Sequence, residues 1–320
     1  MSKEDVNNPD WQRKLVERLA SDSLIERRRT RRWGIFFKLL TFAYLAVLLV
    51  LLLPTDWSEK AMGGKAHTAV VELKGVIAPG EKASADKVVG GLRDAFEDSN
   101  TKAVILRINS PGGSPVQSSD IHKEMLRLRE KYPDIPLYAV ISDLGASGGY
   151  YVASAADKIY VNESSIVGSI GVMMNGFGFV EAMEELGVER RLLTAGRHKG
   201  LLDPFSPTEP FETEHAQDLL DELHASFIEA VRAGRGDRLK GTDEKLFNGL
   251  FWGGERSIEL GLADAIGNAS YVAREVVGVE DLVDFTEKDD PLERLADRLG
   301  AAAASALAQI TGLAGSFQLR

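Results

Sequence analysis

Two glycine-rich turns carry the residues with the clearest chemical potential. The first reads Ile108-Asn109-Ser110-Pro111-Gly112-Gly113-Ser114 and follows an apolar run. A strand ending in Pro-Gly-Gly leaves backbone N–H groups that neither a ladder nor a side chain easily satisfies. Such donors can hold a phosphate or a developing oxyanion. A tight turn that needs positive φ would use the same residues. The second turn reads Asp143-Leu144-Gly145-Ala146-Ser147-Gly148-Gly149-Tyr150 and fits G-x-S-x-G with Ser147 at its centre. Between a strand and a helix, this pattern sets a serine hydroxyl on a sharp turn, where the free N–H groups of the helix start favour negative charge. A serine that merely caps the helix is the plainer alternative.

A serine hydroxyl needs a base before it can attack. The chain has no cysteine, which removes a thiol nucleophile, disulfides, thiolate zinc and a lipoprotein anchor. Its five histidines are His67, His122, His198, His215 and His224. An α/β-hydrolase would place its histidine last, on a late loop, yet the sequence after His224 contains none. Only His198 has a Gly-flanked, loop-like setting, in Ala195-Gly196-Arg197-His198-Lys199-Gly200. Its neighbour Lys199 competes, because desolvation disfavours the charged ammonium and frees the amine to act as a base. Spacing leaves both open.

The elements that must position these groups alternate. Thr68–Leu73 and Ala103–Ile108 read as buried strands, with Ala85–Phe96 between them at helical spacing. Val116–Arg129 is expected as a helix, Pro136–Ile141 as a strand, and Ser147–Ala156 as the helix after the second turn. Short strands are expected at Lys158–Val161, Ile170–Met173 and Arg191–Thr194, then one long helix over Phe211–Ala233. This β-α alternation predicts a mostly parallel sheet with helices packed against it. After Asp290-Pro291, a C-terminal helical tail is expected over 287–320, and Trp11–Leu24 also has some helical spacing.

The net charge of −10 hides two unlike parts. Residues 1–38 hold ten Lys/Arg against six Asp/Glu, so the remainder carries −14. Five arginines between Arg27 and Arg32 precede Trp33–Leu53, which is apolar save for Lys38. That run is long enough to span a bilayer, and the positive-inside rule puts residues 1–32 in the cytoplasm. The expected order is a basic segment 1–32, a transmembrane anchor 33–53, a linker 54–66, a catalytic domain 67–286 and the tail 287–320. The acidic remainder argues against a nucleic-acid partner.

The run DLGASGGYYVASAADKIYVNESSIVGSIGV, with INSPGG upstream and AGRHKG downstream, resembles the signal peptide peptidase A family of membrane-anchored serine peptidases. The resemblance covers about residues 66–267 and matches the short, single-unit form. It implies an α/β crotonase-like, Clp-peptidase-like fold of repeated ββα units behind one N-terminal transmembrane helix. It also implies a Ser–Lys dyad: Ser147 as nucleophile, Lys199 as general base and Ser169 orienting the lysine amine. Gly113 and Gly148 would supply the oxyanion-hole N–H groups, with the peptide lying beside Gly112 and Gly113. No metal or cofactor is needed. The implied substrates are cleaved signal peptides or other short membrane peptides. The implied setting is a bacterial plasma membrane with the catalytic domain on the periplasmic side. The family's short members assemble into a ring or dome, so a homo-oligomer is expected, and the resemblance leaves open whether the dyad is completed within one subunit or between neighbours. The rivals are an α/β-hydrolase-type esterase using the same serine, a crotonase-type acyl-CoA enzyme, and a non-catalytic anchored scaffold.

Overall fold

The computed structural model describes residues 29–46 and 64–287. The first stretch is one helix, α1 (29–46), with its large apolar side chains exposed, Trp33, Phe37 and Phe42 among them. It overlaps the expected 33–53 anchor, whose residues 47–53 lie outside the described residues. So do Trp11–Leu24 and the tail from 288. Among the described residues no helix is long and apolar enough to cross a membrane.

Residues 64–287 form one unit built on a sheet. In chain order it runs β1 (His67–Lys74), α2 (Ala85–Glu97), β2 (Thr101–Ser110), α3 (Pro115–Lys131), β3 (Leu137–Ala146) and α4 (Gly148–Ala153). Then come β4 (Lys158–Val161), β5 (Ile166–Gly168), α5 (Val180–Glu185), α6 (Pro210–Arg235) and α7 (Asp243–Leu246). The last elements are β6 (Phe251–Gly253), α8 (Gly254–Glu259), β7 (Ala265–Ile266), α9 (Ala269–Tyr271) and β8 (Leu282–Asp284).

The strand order is β6-β5-β3-β2-β1-β8, parallel except where β6 runs against β5. The central strands are near-continuous apolar runs because both faces are covered. On one face Val71, Leu73, Leu106, Ile108, Ala139 and Ile141 meet α2, α3 and α4. On the other, Val70, Ile105, Val140 and Tyr160 meet Ala269 and Val272. β3 forks: Tyr138 to Ile141 pair with β4, and Leu144 to Ala146 pair with β5. The fork carries β3 past its expected end at Ile141 and delivers its last residue directly to Ser147.

Two expected strands do not form. Ile170–Met173 and Arg191–Thr194 have no regular structure, and β5 lies just upstream at Ile166–Gly168 instead. From Met173 to Glu209 the chain is mostly exposed. A strand needs a neighbour to satisfy its backbone groups, and within one copy this arm finds none.

A buried ion pair ties the long helix to the sheet. Arg235, at the end of α6, is 1% exposed. Its guanidinium donates to both carboxylate oxygens of Asp264 at 2.7 and 3.0 Å and to the Gly261 carbonyl at 2.8 Å. Burial alone would raise the Asp264 carboxyl, but the Arg235 and Ile159 hydrogen bonds hold it below the usual range. The same turn accepts the Tyr150 hydroxyl at Leu262 O, 2.8 Å away, and burial pushes that phenol up. Removing one partner of such a pair strands a buried charge at a cost of about 3–5 kcal/mol. Asp264→Ala is therefore expected to destabilise the unit by about that amount, read as a lowered urea midpoint. An unchanged midpoint would remove the pair from this role.

Candidate active site

Ser147 sits where β3 ends and α4 begins, and its backbone is strained. Its φ is +51° and its ψ −124°, a conformation that side chains other than glycine rarely adopt. The surroundings over-determine it: the Ser147 N–H donates to Gly168 O at 2.9 Å, and its carbonyl accepts from Tyr151 N at 2.9 Å. Half-buried, Ser147 keeps access to solvent at the mouth of the turn.

The first glycine turn lies directly against it. A Cβ placed on Gly112 would stand 2.5 Å from Gly148 N and 2.8 Å from Ser147 Cβ. One on Gly148 would strike Ser118 Oγ and come within 3.3 Å of Gly113 N. One on Gly113, at φ +150°, would strike the Ile77 carbonyl. Only bare backbone permits this approach. Ser110 holds the turn, its hydroxyl donating to Gly75 O at 2.6 Å and accepting from Gly112 N at 3.1 Å. Ile77 bridges to both sides of Gly113: its N–H donates to Gly112 O at 2.9 Å and its carbonyl accepts from Ser114 N at 2.7 Å. Neither the Gly113 nor the Gly148 N–H has an acceptor among the described residues. Two free donors thus lie close to one another beside Ser147, an arrangement that can hold the oxygen of a tetrahedral adduct.

Ser169 is brought close through Gly168, the residue bonded to Ser147 N. It too has positive φ, +52°, and its N–H donates to Leu250 O at 2.8 Å. The next residue, Ile170, accepts from Gly249 N at 3.0 Å and from His224 Nε2 at 3.2 Å.

Lys199 is not brought to this cluster within one copy. It lies in a tight exposed turn, Lys199 N donating to Gly196 O at 3.1 Å. Its neighbour His198 rests on Phe211 at the start of α6, ring centroids 4.5 Å apart. His224, thirteen residues along the helix, is the point that touches Ile170. At 1.5 Å per residue, Phe211 beside the Lys199 turn and His224 beside Ile170 are separated by roughly 20 Å of helix. His198 lies at the Phe211 end. His224 reaches Ile170, next to Ser169, and its place in a long helix hid that from spacing arguments.

Two supporting residues were also invisible in the sequence. Ser118 is 1% exposed, its hydroxyl donates to Ser114 O at 2.9 Å, and it fills the space under Gly148. His122, one turn later on α3, stacks edge-on to Tyr151, and its Nε2 is buried without a partner among the described residues. Burial, with Lys123 and Arg129 nearby, lowers its pKa to about 4. A separate cleft of about 520 Å³ is lined by Arg107, Ser142, Asp143, Asn162, Asn268 and Ser270 among others, and Ser147, Gly113 and Gly148 are not among its lining residues.

Two predictions follow from this packing. Gly148→Ala forces its methyl onto Ser118 Oγ and should slow Ser147 labelling by a fluorophosphonate about 10- to 100-fold. Adding Ser118→Ala should restore part of the loss, whereas Gly113→Ala meets backbone and should have no such rescue; equal behaviour of the two would contradict the geometry. Because folding depresses the His122 pKa, the unfolded chain takes up the proton first. Stability from this group is complete above pH 6.5 and falls as pH drops toward 4, by about 3 kcal/mol. His122→Leu should flatten that part of the pH–stability curve measured by urea unfolding.

Comparison with known proteins completes the picture. Residues 129–281 match the model of peptidase family S49. The chain is 30% identical over 249 residues to a putative protease, slr0021, of Synechocystis, covering 72% of this chain and 87% of that protein. It is 32% identical to a putative signal peptide peptidase SppA of Enterococcus faecium, covering 63% and 55% respectively. It is also 41% identical over 214 residues to a Brucella abortus protein named as the Na(+)/H(+) antiporter NhaA. That match covers 65% of this chain but only 29% of the antiporter-named protein.

Proposed function

The chain belongs to peptidase family S49, and on that footing we propose that it is a serine endopeptidase working through a Ser–Lys dyad. The observation that carries this is Ser147 at positive φ at the head of α4, with the free Gly113 and Gly148 N–H groups beside it. Ser147 Oγ attacks the scissile carbonyl while the neutral Lys199 amine takes its proton. The two N–H groups hold the oxyanion, and the proton passes to the leaving amine as the acyl-enzyme forms. Water, deprotonated by the same amine, then releases the acyl group. Ser169 orients that amine. An extended peptide lies along the backbone beside Gly112 and Gly113, bonded through its main chain.

The base comes from a second copy. Within one copy Lys199 is exposed and its turn sits at the Phe211 end of α6, while His224, thirteen residues further on, is the part of the helix that meets Ile170, whereas a lysine acts as a base only when desolvated. The arm that carries it shows a neighbour-seeking surface: Met173, Phe177, Leu186 and Leu193 are 78–96% exposed. Exposed apolar side chains in such number mark an interface. Assembly then supplies the lysine and its burial in one step, on a crotonase- and Clp-like sheet of which the forked β3 is the supporting feature. With 33–53 as a membrane anchor and 1–32 in the cytoplasm, the catalytic unit 67–286 faces the periplasm. Remnant signal peptides and other short membrane peptides are the substrates this placement suits.

The test uses the full-length protein in detergent, with a fluorophosphonate probe and a fluorogenic peptide. Ser147→Ala should abolish labelling, and Lys199→Ala should abolish turnover. Mixing the two inactive variants during assembly should restore activity to about a quarter of wild type, since only junctions pairing an intact serine with an intact lysine work. No recovery on mixing would place both groups in one copy. Activity surviving in Lys199→Ala but lost in His198→Ala would favour the esterase, and a wild type that is never labelled would favour the scaffold.

A further inference from the structure

We infer that the stack His198–Phe211–His215 is a positioning device that sets the Lys199 turn on the tip of α6; this rests on Lys199 being the base. The His198 ring packs on Phe211 with centroids 4.5 Å apart, and Phe211 stacks on His215 at 6.0 Å with the rings 7° from parallel. His198 is itself inside the turn, its carbonyl accepting from Leu201 N at 3.2 Å while Lys199 N donates to Gly196 O. Holding the His198 ring therefore holds the backbone from which the Lys199 side chain departs.

The platform under the stack is rigid for reasons visible along α6. Its start is specified by Pro210 in the first turn and by a reciprocal capping box between Glu209 and Glu212. Phe211 and His215 are one turn apart on the same face. Toward the other end, Phe227, Ala230, Val231 and Arg235 are buried, and Phe227 lies 4.9 Å from the Tyr151 ring of α4. At Gly234 a Cβ would strike the Ser154 carbonyl, so helix and core meet backbone to backbone. α6 is thus clamped to the serine-bearing core at its C-terminal half and exposed at its N-terminal half. Its free end carries the lysine turn outward, and the aromatic stack is the side-chain joint between the two.

His198 on this account has a packing role that a phenyl ring can fill. An aromatic pair is worth a few-fold to about tenfold in the population of the state it holds, so the turn without it samples unproductive positions. The experiment measures kcat and KM of the full-length oligomer toward a fluorogenic peptide, with subunit number checked by light scattering. Phe211→Ala is expected to lower kcat about 5- to 10-fold with KM nearly unchanged. Phe211→Tyr should keep wild-type kcat. His198→Ala should lose about threefold, and His198→Phe, which keeps a ring but no imidazole, should retain activity. The inference is overturned if Phe211→Ala is fully active, if Phe211→Tyr loses as much as alanine, or if Phe211→Ala reduces the subunit number, because the ring then serves the interface. His198→Phe as inactive as Lys199→Ala also overturns it. The premise fails separately: an active Lys199→Ala removes the base assignment whatever Phe211 does.

Discussion

The structure depends on the contact between two glycine turns. Gly112 and Gly113 lie so close to Ser147 and Gly148 that a single added methyl at any of the three glycines meets backbone or a buried hydroxyl. That closeness allows Ser147 to be held at positive φ and leaves two N–H groups, on Gly113 and Gly148, unpaired side by side. Unpaired donors and a strained serine both cost free energy, and each is kept because neighbours fix the backbone from several sides. Ser110, Ile77 and Gly168 do this through hydrogen bonds that close the turns on one another.

The sheet is arranged to bring these turns together. β2 and β3 are neighbours in parallel, with Ser110 beside Gly145, so the loops after the two strands emerge at the same edge. The fork in β3 does a second job: its last three residues turn to β5 and place Gly168 next to Ser147 N. Behind α4, Tyr150 reaches Leu262, and Arg235 and Asp264 lock the end of α6 to the same turn. The serine side of the site is therefore over-determined within one copy.

The lysine side follows a different logic. α6 leaves the core after Phe227, and its outer half and the arm before it expose apolar side chains that no part of the described unit covers. In one copy the Lys199 turn lies at the Phe211 end of α6, and His224 further along the helix meets Ile170, next to Ser169. The proposed composite site between copies would link reactivity to assembly and leave the serine of an isolated subunit unpaired.

Much of this was legible in residue order. The alternation of apolar runs and helical spacing located β1, β2, β4 and the helices α2, α3 and α6 to within a few residues. The two glycine turns stood out because their constraint is local: a positive φ or a methyl-free approach demands glycine at that very position. The resemblance to signal peptide peptidase A, carried by ASGGYY and VGSIGV, agrees with the family found by comparison. What spacing could not show was anything that depends on distance through space. Ser118 beneath Gly148, His224 against Ile170, and the forking of β3 join residues far apart in the chain. The strands expected at Ile170–Met173 and Arg191–Thr194 failed for the same reason, since strand formation depends on a partner edge and not on apolar content alone. Local order in the chain settles which backbone shapes are allowed. Where the Lys199 turn stands follows from the direction and length of α6, which only packing of its far end against the core can set.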